Sequence, residues 1–311
     1  MASWVQLVGE ALVAYWSSPL SLMVLAVFAA SMGTLLYVFV TNARNAKLRV
    51  TLLTGLYALS MFFWAFVAVS LTLCAVQARM VAYSRNGVPL AVFGAVVGSF
   101  ALTAAISVIV WRFGNAAVIR RFGPRILSDG EAWIQHHVDR LAAFEGIPRV
   151  RVALVDSDEV IALAVGGKER CILVSRGLLG LLDHGETDAV VAHELMHLKH
   201  HDAEFKVFST VLSRILFFDP FSKFFDPAIH REREYLADDM GARSIGRPAT
   251  MASALLKIEE GGPPPKASWG LSIVGFGSGI LSRYPPLKER VQRLLLLSDL
   301  LGASANGGMN T

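Results

Sequence analysis

Residues 191–197 read Val-Ala-His-Glu-Leu-Met-His, and this stretch decides how the C-terminal part of the chain is interpreted. His193 and His197 lie four positions apart, so a helix places both imidazoles on one face, one turn apart. This spacing suits two ligands of a zinc ion, and Glu194 beside the first ligand can take a proton from a water molecule. The flanking residues are apolar, and burying these polar side chains without partners is costly. The stretch therefore favours a metal-binding helix over a surface helix with two solvated histidines.

A zinc site of this kind needs a third protein ligand, and the chain offers two candidates. His201 is eight residues beyond His193, about 12 Å along a helix, which is too far for one ion to bind both. Glu234 and Asp238 lie four apart, so one carboxylate can bind the metal while the other orients a ligating histidine. We predict that this downstream pair completes the site. His200 and His201 are predicted to be solvated or to lie behind the ligands.

The N-terminal third of the chain is apolar enough to cross a membrane. Of the 311 residues, 54% are hydrophobic and 17% are charged, whereas soluble domains carry about 25% charged residues. Three uncharged tracts, 20–40, 50–78 and 86–111, each exceed the roughly 20 residues that span a bilayer. We predict three transmembrane helices within residues 20–111. Residues 1–19 are predicted to form an interfacial helix, because their acidic residue and lack of a basic start argue against a signal peptide.

Basic residues give the predicted orientation. The loop between the first two spans and the segment after the third are basic and lack acids, through Arg44, Lys47 and Arg49 and through Arg112, Arg120, Arg121 and Arg125. The loop between the second and third spans carries only Arg79 and Arg85. Positive charge favours the cytoplasmic side, so we predict an integral protein of the cell or inner membrane with a cytoplasmic C-terminal domain. A net charge of +4 is too mild to indicate nucleic acid, and two cysteines cannot build a disulfide framework.

Residues 112–300 have the pattern of a folded α+β domain. Residues 128–131 and 183–186 have the form of capping boxes and predict the starts of two helices, the second of which carries the histidines. Short apolar runs predict three strands, at 149–155, 160–165 and 171–175. The predicted fold class is thus an α-helical transmembrane region followed by an α+β domain.

Other residues predict where elements begin and end. Pro227 suits the first position of a helix that runs to about Gly246. Residues 301–311 are small and polar, which predicts a disordered tail. The apolar stretch 207–225 contains three charged residues, so it is not assigned as a membrane span.

In combination these motifs resemble the HtpX-type membrane metallopeptidases, which are relatives of the CAAX-processing prenyl-protein proteases. The resemblance covers about residues 120–300. Beyond the His-Glu-x-x-His helix it rests on Val165-Gly166-Gly167, Ser175-Arg176-Gly177, Asp202, Arg233-Glu234-Tyr235-x-Ala237-Asp238 and Pro285-Pro286-Leu287-x-Glu289-Arg290. It implies a gluzincin fold, one zinc ion per chain, a cytoplasmic site and a role in membrane-protein quality control under stress.

The resemblance also implies roles for individual residues. The metal ligands are expected to be His193, His197 and Glu234. Glu194 is expected to be the general base, Asp238 to buttress a ligand histidine, and Asp202 to lie behind the ligands.

The chain departs from the family pattern at three points. The family commonly has two spans before the site and two after it, whereas three precede it here. The family's asparagine before the edge strand is missing from residues 160–164, and its His-Pro-Pro is Tyr284-Pro285-Pro286. A tyrosine hydroxyl can also donate a hydrogen bond, so Tyr284 is either a second catalytic residue that stabilises the oxyanion or a packing residue beside the two prolines.

These features predict a zinc endopeptidase whose partners are polypeptides and the lipid bilayer, and a homo-oligomer is compatible with them. The peptide is expected to lie extended along the edge strand at Ala162, Ala164 and Gly166, which reads little sequence and suits misfolded or unassembled proteins. One alternative is a sensor-transducer of the β-lactam-receptor type that cleaves a specific regulator. A large extracellular domain would favour it, but only residues 1–19 and 79–87 are predicted outside. The other alternative, a non-catalytic scaffold, is disfavoured by the intact site residues.

Overall fold

The structure is a computed structural model of the chain. It describes residues 4–41, 46–79, 88–167, 170–203, 205–206, 209–210, 219–261, 282 and 284–307. The chain divides into two compact units, residues 1–109 and residues 110–311.

The first unit is helical. Its elements are α1 (Trp4–Trp16), α2 (Pro19–Thr41), α3 (Ala46–Arg79) and the first part of α4 (Val88–Phe122). Among the described residues, three segments are long and apolar enough to cross a membrane, namely Pro19–Thr41, Ala58–Val76 and Val88–Phe122. The predicted class of this region, helical with three candidate spans, is therefore confirmed.

Within this unit α1 packs against α3. Tyr15 is buried, and its hydroxyl group lies 2.8 Å from Ser70 Oγ. The ring of Trp16 meets that of Phe66 edge-on at 5.9 Å. The interfacial position of residues 1–19 stays a prediction.

The second unit is a mixed helix and sheet domain, as the sequence predicts. In the part of this unit that the structure describes, the sheet contains four strands, β1 (Arg125–Ile126), β2 (Arg151–Val155), β3 (Ala162–Val165) and β4 (Cys171–Ser175). They lie in the order β1-β2-β4-β3, in which β2 and β4 are parallel and the other neighbours are antiparallel. Among the described residues, β3 therefore forms one end of the sheet.

Helices cover both faces of this sheet. The helices of this unit after α4 are α5 (Ala132–Phe144), α6 (Arg176–Leu181), α7 (His184–Lys199), α8 (Pro220–Ile245), α9 (Pro248–Glu260) and α10 (Leu287–Gly307), with a short 3-10 turn at Asp129–Glu131. Of these, α5, α6 and α7 contact the strands. The helix α7 packs against α5, α8, α9 and β3. On the opposite face of the sheet, Val118, Ile119 and Phe122 of α4 pack against the apolar side chains of the strands. The sheet is consequently buried on both sides, which accounts for its nearly continuous apolar strands.

Both predicted capping boxes are present, at Ser128 and at Asp183. The prediction for Pro227 is wrong, because the helix begins at Pro220 and Pro227 lies inside it. Pro220 supplies the favourable first-turn proline, and the helix continues past Pro227 although that residue has no amide to donate. The helix ends at Ile245, and the next residue, Gly246, has a φ of 66°, a left-handed conformation that glycine adopts readily.

The predicted disordered tail at 301–311 is also corrected. α10 continues through Gly307, and the alanines in this stretch favour helix; residues 308–311 lie outside the described residues. For the apolar stretch 207–225, residues 207–208 and 211–218 likewise lie outside the described residues.

Candidate metal centre

The helix that carries the two histidines is capped at its start and buried along its length. Asp183 accepts a hydrogen bond from the Glu186 amide at 2.8 Å, and Glu186 accepts one from the Asp183 amide at 3.0 Å. Ser253 and Lys257 of α9 each donate to Glu186 at 2.7 Å. These contacts fix α7 before it enters the core, where every residue from 189 to 198 is buried.

Gly241 allows α8 to approach α7 closely. A Cβ atom at this position would lie 3.0 Å from His193 N and 3.1 Å from His193 Cα. A side chain there would push the two helices apart. The close approach brings Glu234 and Asp238 of α8 to the histidines of α7.

Three side chains converge in the space between these helices. His193 Nε2 lies 3.1 Å from His197 Nε2 and 3.4 Å from Glu234 Oε2. Glu234 Oε1 lies 3.6 Å from His197 Nε2. All three residues are at most 3% exposed. Among the described residues they form the group of potential metal ligands that the sequence predicts.

The donor atoms fit a tetrahedral zinc ion. Ligand bonds of about 2.0–2.1 Å at tetrahedral angles place neighbouring donor atoms about 3.3 Å apart. His193 Nε2 lies 3.1 Å from His197 Nε2 and 3.4 Å from Glu234 Oε2, which agrees with this separation. Two histidines and one carboxylate are also a donor set of catalytic zinc sites.

Behind the first histidine lies a carboxylate that is itself paired with a buried arginine. Asp238 Oδ1 is 3.0 Å from His193 Nδ1. Arg290 of α10 donates to both oxygens of Asp238, at 2.6 and 2.7 Å, and is 1% exposed. This arrangement fixes the ring so that Nε2 faces the ligand position.

His197 is held by an aspartate and an arginine in the same way. Asp202 Oδ2 lies 3.4 Å from His197 Nδ1. Arg233 donates to the other oxygen of Asp202, and its guanidinium lies 4.1 Å from the ring centre of Phe205. Each candidate histidine ligand is thus held by an aspartate and each aspartate by an arginine.

Glu234, the carboxylate among the ligand candidates, is also paired with a cation. Lys206 Nζ donates to Glu234 Oε1 at 3.2 Å, and the lysine is buried. Burial would lower the pKa of the Lys206 amine, but Tyr284 and Glu234 raise that pKa above its ordinary value. The amine therefore carries a positive charge beside Glu234.

The charges of the site suit a bound cation. Burial would lower the pKa of His193, but its interactions with Asp238 and Glu234 raise that pKa to about 9. Burial would raise the pKa of Glu234, but Lys206 and His193 hold it well below its ordinary value. The surroundings of His193 thus favour positive charge, and a metal ion that binds there displaces a proton.

Glu194 connects the metal centre to the end of the sheet. Its Oε2 accepts a hydrogen bond from the Ala164 amide of β3 at 2.6 Å, and Glu194 itself is 3% exposed. Of the predicted substrate contacts, Ala162 lies in the same strand and Gly166 follows its last residue. The structure therefore places the predicted base beside the predicted peptide-binding strand.

Tyr284 is buried next to the site. Its ring centre lies 5.5 Å from Lys206 Nζ, and its backbone is tied to Ser282. Arg231 of α8 in turn donates to the Ser282 carbonyl at 2.7 Å. His201, by contrast, is exposed and is not among the potential metal ligands of the described residues.

Sequence reasoning gave no role to the residues that stand behind the ligands. These are Lys206, Arg233, Arg290 and Gly241. The available signal was a glycine inside a helix, which costs about 1 kcal/mol relative to alanine and so requires a packing reason. The cations carried no such signal, because charged residues in helices are usually solvated.

Comparison with known proteins agrees with this site. Residues 101–291 match the family described as BlaR1 peptidase M56. The chain is 30% identical over 258 residues to a protease HtpX homolog of Pyrococcus abyssi, covering 67% of this chain and 89% of that protein. It is 28% identical over 276 residues to a protease HtpX homolog of Aquifex aeolicus, covering 70% and 91%.

Among solved structures, the crystal structure of S. mikatae Ste24p is similar to 89% of this chain and 99% of that chain. The TM-score is 0.41 and the sequence identity is 15%.

The fold and the buried site define a metallopeptidase carried on membrane helices. The chain belongs to the family of HtpX-like membrane metalloproteases, and it also matches the family described as BlaR1 peptidase M56. The resemblance seen in its motifs is thereby confirmed.

Proposed function

We propose that the protein is a zinc endopeptidase, anchored in the cell or inner membrane, that hydrolyses misfolded or unassembled proteins, including membrane proteins. The observation that carries the proposal is the buried convergence of His193, His197 and Glu234, with Glu194 beside the end strand. A zinc ion held there supplies Lewis acidity, which polarises the scissile carbonyl and acidifies a water molecule.

The protein's own residues organise the proton transfer. The Ala164 amide holds Glu194 through Oε2, which leaves Oε1 to take the proton of the attacking water. Glu194 then delivers this proton to the leaving amine. Asp238 and Asp202 keep the ligand histidines oriented while charge develops.

The position of β3 supports an extended substrate. β3 lies at the end of the sheet and next to Glu194, so a peptide that pairs beside it would run past the base. Pairing through backbone atoms selects extended chains over particular sequences. This property suits unfolded segments of proteins that have failed to assemble.

A second candidate function is cleavage of one specific regulator, as in a sensor-transducer. The match to the family described as BlaR1 peptidase M56 over residues 101–291 favours it. The two functions share the site and differ in how many substrates they accept.

A zinc assay combined with a casein digest tests the proposal. The full chain, purified in detergent, is expected to hold one zinc ion and to cleave casein until a chelator removes the metal. Cleavage should return when zinc is restored. A zinc-loaded, folded chain that leaves casein intact would contradict the proposal, and selective cleavage of a single partner would instead establish the second candidate.

Replacing Tyr284 with phenylalanine is expected to lower kcat strongly, with little change in KM or zinc content. The buried Tyr284 ring lies 5.5 Å from Lys206 Nζ, which pairs with Glu234, and losing one oxyanion donor costs roughly 100- to 1000-fold in turnover. Tyr284→His should be partly active, because imidazole also donates. Tyr235→Phe is a matched control, since this ring packs under Arg293. Wild-type turnover in Tyr284→Phe would show that Tyr284 only packs.

The catalytic domain is expected to face the cytoplasm. The basic segment that follows the third span, from Arg112 to Arg125, favours that side. In spheroplasts of a bacterial expression host, the domain should resist added protease until the membrane is opened. Digestion in intact spheroplasts would refute this orientation.

A further inference from the structure

Burying a lysine next to a candidate zinc ligand costs free energy, so the position of this lysine needs a physical explanation. Lys206 belongs to the helical residues that follow α7 and is 8% exposed. Removing an ammonium group from water is unfavourable unless a partner compensates it. Its partner is Glu234, at 3.2 Å.

The two oxygens of Glu234 have different surroundings. Oε1 accepts the hydrogen bond from Lys206. Oε2 faces His193 Nε2 at 3.4 Å and Arg290 Nη2 at 3.5 Å, and it accepts no hydrogen bond from the part of the chain that the structure describes. Oε2 is therefore the oxygen left for a metal ion.

We propose that Lys206 is a positioning residue that keeps Glu234 a monodentate ligand, by holding Oε1 away from the metal. This inference rests on the proposed zinc site. A bidentate carboxylate would give the metal a fourth protein donor. A monodentate one leaves three protein donors and an open position for water, which a catalytic zinc site requires.

Charge balance alone does not explain the lysine. Arg290 already lies near Oε2 of Glu234 and also pairs with Asp238. A second cation that only neutralised the charge of Glu234 could lie on any side of that carboxylate. Lys206 instead contacts the one oxygen whose coordination would fill the open position.

The test is the coordination number of Co²⁺ in the full chain, bound in place of zinc. Four-coordinate Co²⁺ absorbs visible light strongly and five-coordinate Co²⁺ absorbs weakly, so the spectrum reports the coordination number without any substrate. Wild type is expected to show the strong spectrum. Lys206→Met should bind one cobalt ion with a marked loss of absorption intensity, and Lys206→Arg, which keeps a donor, should restore it.

Lys199→Met is the matched control, since Lys199 pairs with Glu145, which is not a ligand; its spectrum should equal that of wild type. Removing an outer partner of a ligand commonly costs 10- to 100-fold in activity. We therefore expect Lys206→Met to lower kcat by that factor, with KM unchanged.

The possible results distinguish the role of Lys206 from the proposed zinc site. A Lys206→Met spectrum identical to wild type would overturn the role of Lys206 and leave the zinc site standing. Wild type that binds no cobalt would instead overturn the proposed function. If Lys206→Met does not fold, Lys206→Leu, which has similar apolar bulk and no donor, takes its place in the comparison with wild type. An unchanged spectrum in that variant would likewise overturn the role of Lys206.

Discussion

Replacing Glu194 with glutamine is expected to lower peptide hydrolysis by about 100- to 10,000-fold, the usual contribution of a positioned general base. The glutamine carbonyl can still accept the hydrogen bond that Ala164 donates to Glu194 Oε2 at 2.6 Å. The substitution therefore keeps the contact with β3 and removes only the ability to take a proton. This separates the chemistry of Glu194 from its contact with the strand.

Zinc content and turnover on casein, measured on the same preparations, check this expectation. Glu194→Gln should keep one zinc ion, because Glu194 is not among the three converging ligand candidates. His193→Ala should lose the metal, and Glu260→Gln on the exposed end of α9 should behave as wild type. A Glu194→Gln chain that lost zinc as readily as His193→Ala would show that the assigned role is wrong.

The helix with the two histidines could be predicted from sequence because its signals are local. The spacing of His193 and His197 fixes a common face for any helix, and the Asp183–Glu186 capping box marks where that helix starts. The four-residue spacing of Glu234 and Asp238 likewise predicted that one of them binds the metal, and the family resemblance indicated Glu234. Each of these patterns lies within a few turns of one helix.

The residues behind the ligands could not be predicted because their roles depend on long-range packing. Arg290 reaches Asp238 across 52 positions, and Lys206 reaches Glu234 across 28. An isolated arginine or lysine in a helix gives no sign of which face will be buried. The close approach of α8 to α7 at Gly241 helps to bury Glu234 and Asp238, which are the partners of these cations.

At Pro227 a local sequence pattern predicted a helix start that the tertiary structure does not have. A proline usually marks a helix start, yet α8 runs through it from Pro220 to Ile245. His230 Nε2 lies 3.3 Å from Asp226 Oδ1 and 2.8 Å from Ser209 Oγ. These buried contacts support the helix around the proline, and they are set by tertiary structure.

Replacing Glu234 with alanine is expected to remove zinc and with it all metal-dependent hydrolysis, whereas Glu232→Ala should retain both. Of these two glutamates, Glu234 converges with the two histidines, while Glu232 lies outside that group of potential ligands. Zinc content of the two purified variants is the direct measurement. Equal zinc content in both would show that the third ligand has been chosen wrongly.

The same substitution should also destabilise the metal-free protein, because it leaves the buried Lys206 without the carboxylate it contacts. Removing one partner of a buried ion pair typically costs about 3–5 kcal/mol, whereas Glu232→Ala, at a half-buried position, should cost less than this. Thermal unfolding in the presence of a chelator measures this difference. Adding Lys206→Met to Glu234→Ala should recover part of the loss, since no uncompensated ammonium then remains in the pocket. If the double variant were as unstable as the sum of the single variants, Lys206 and Glu234 would not be energetically coupled.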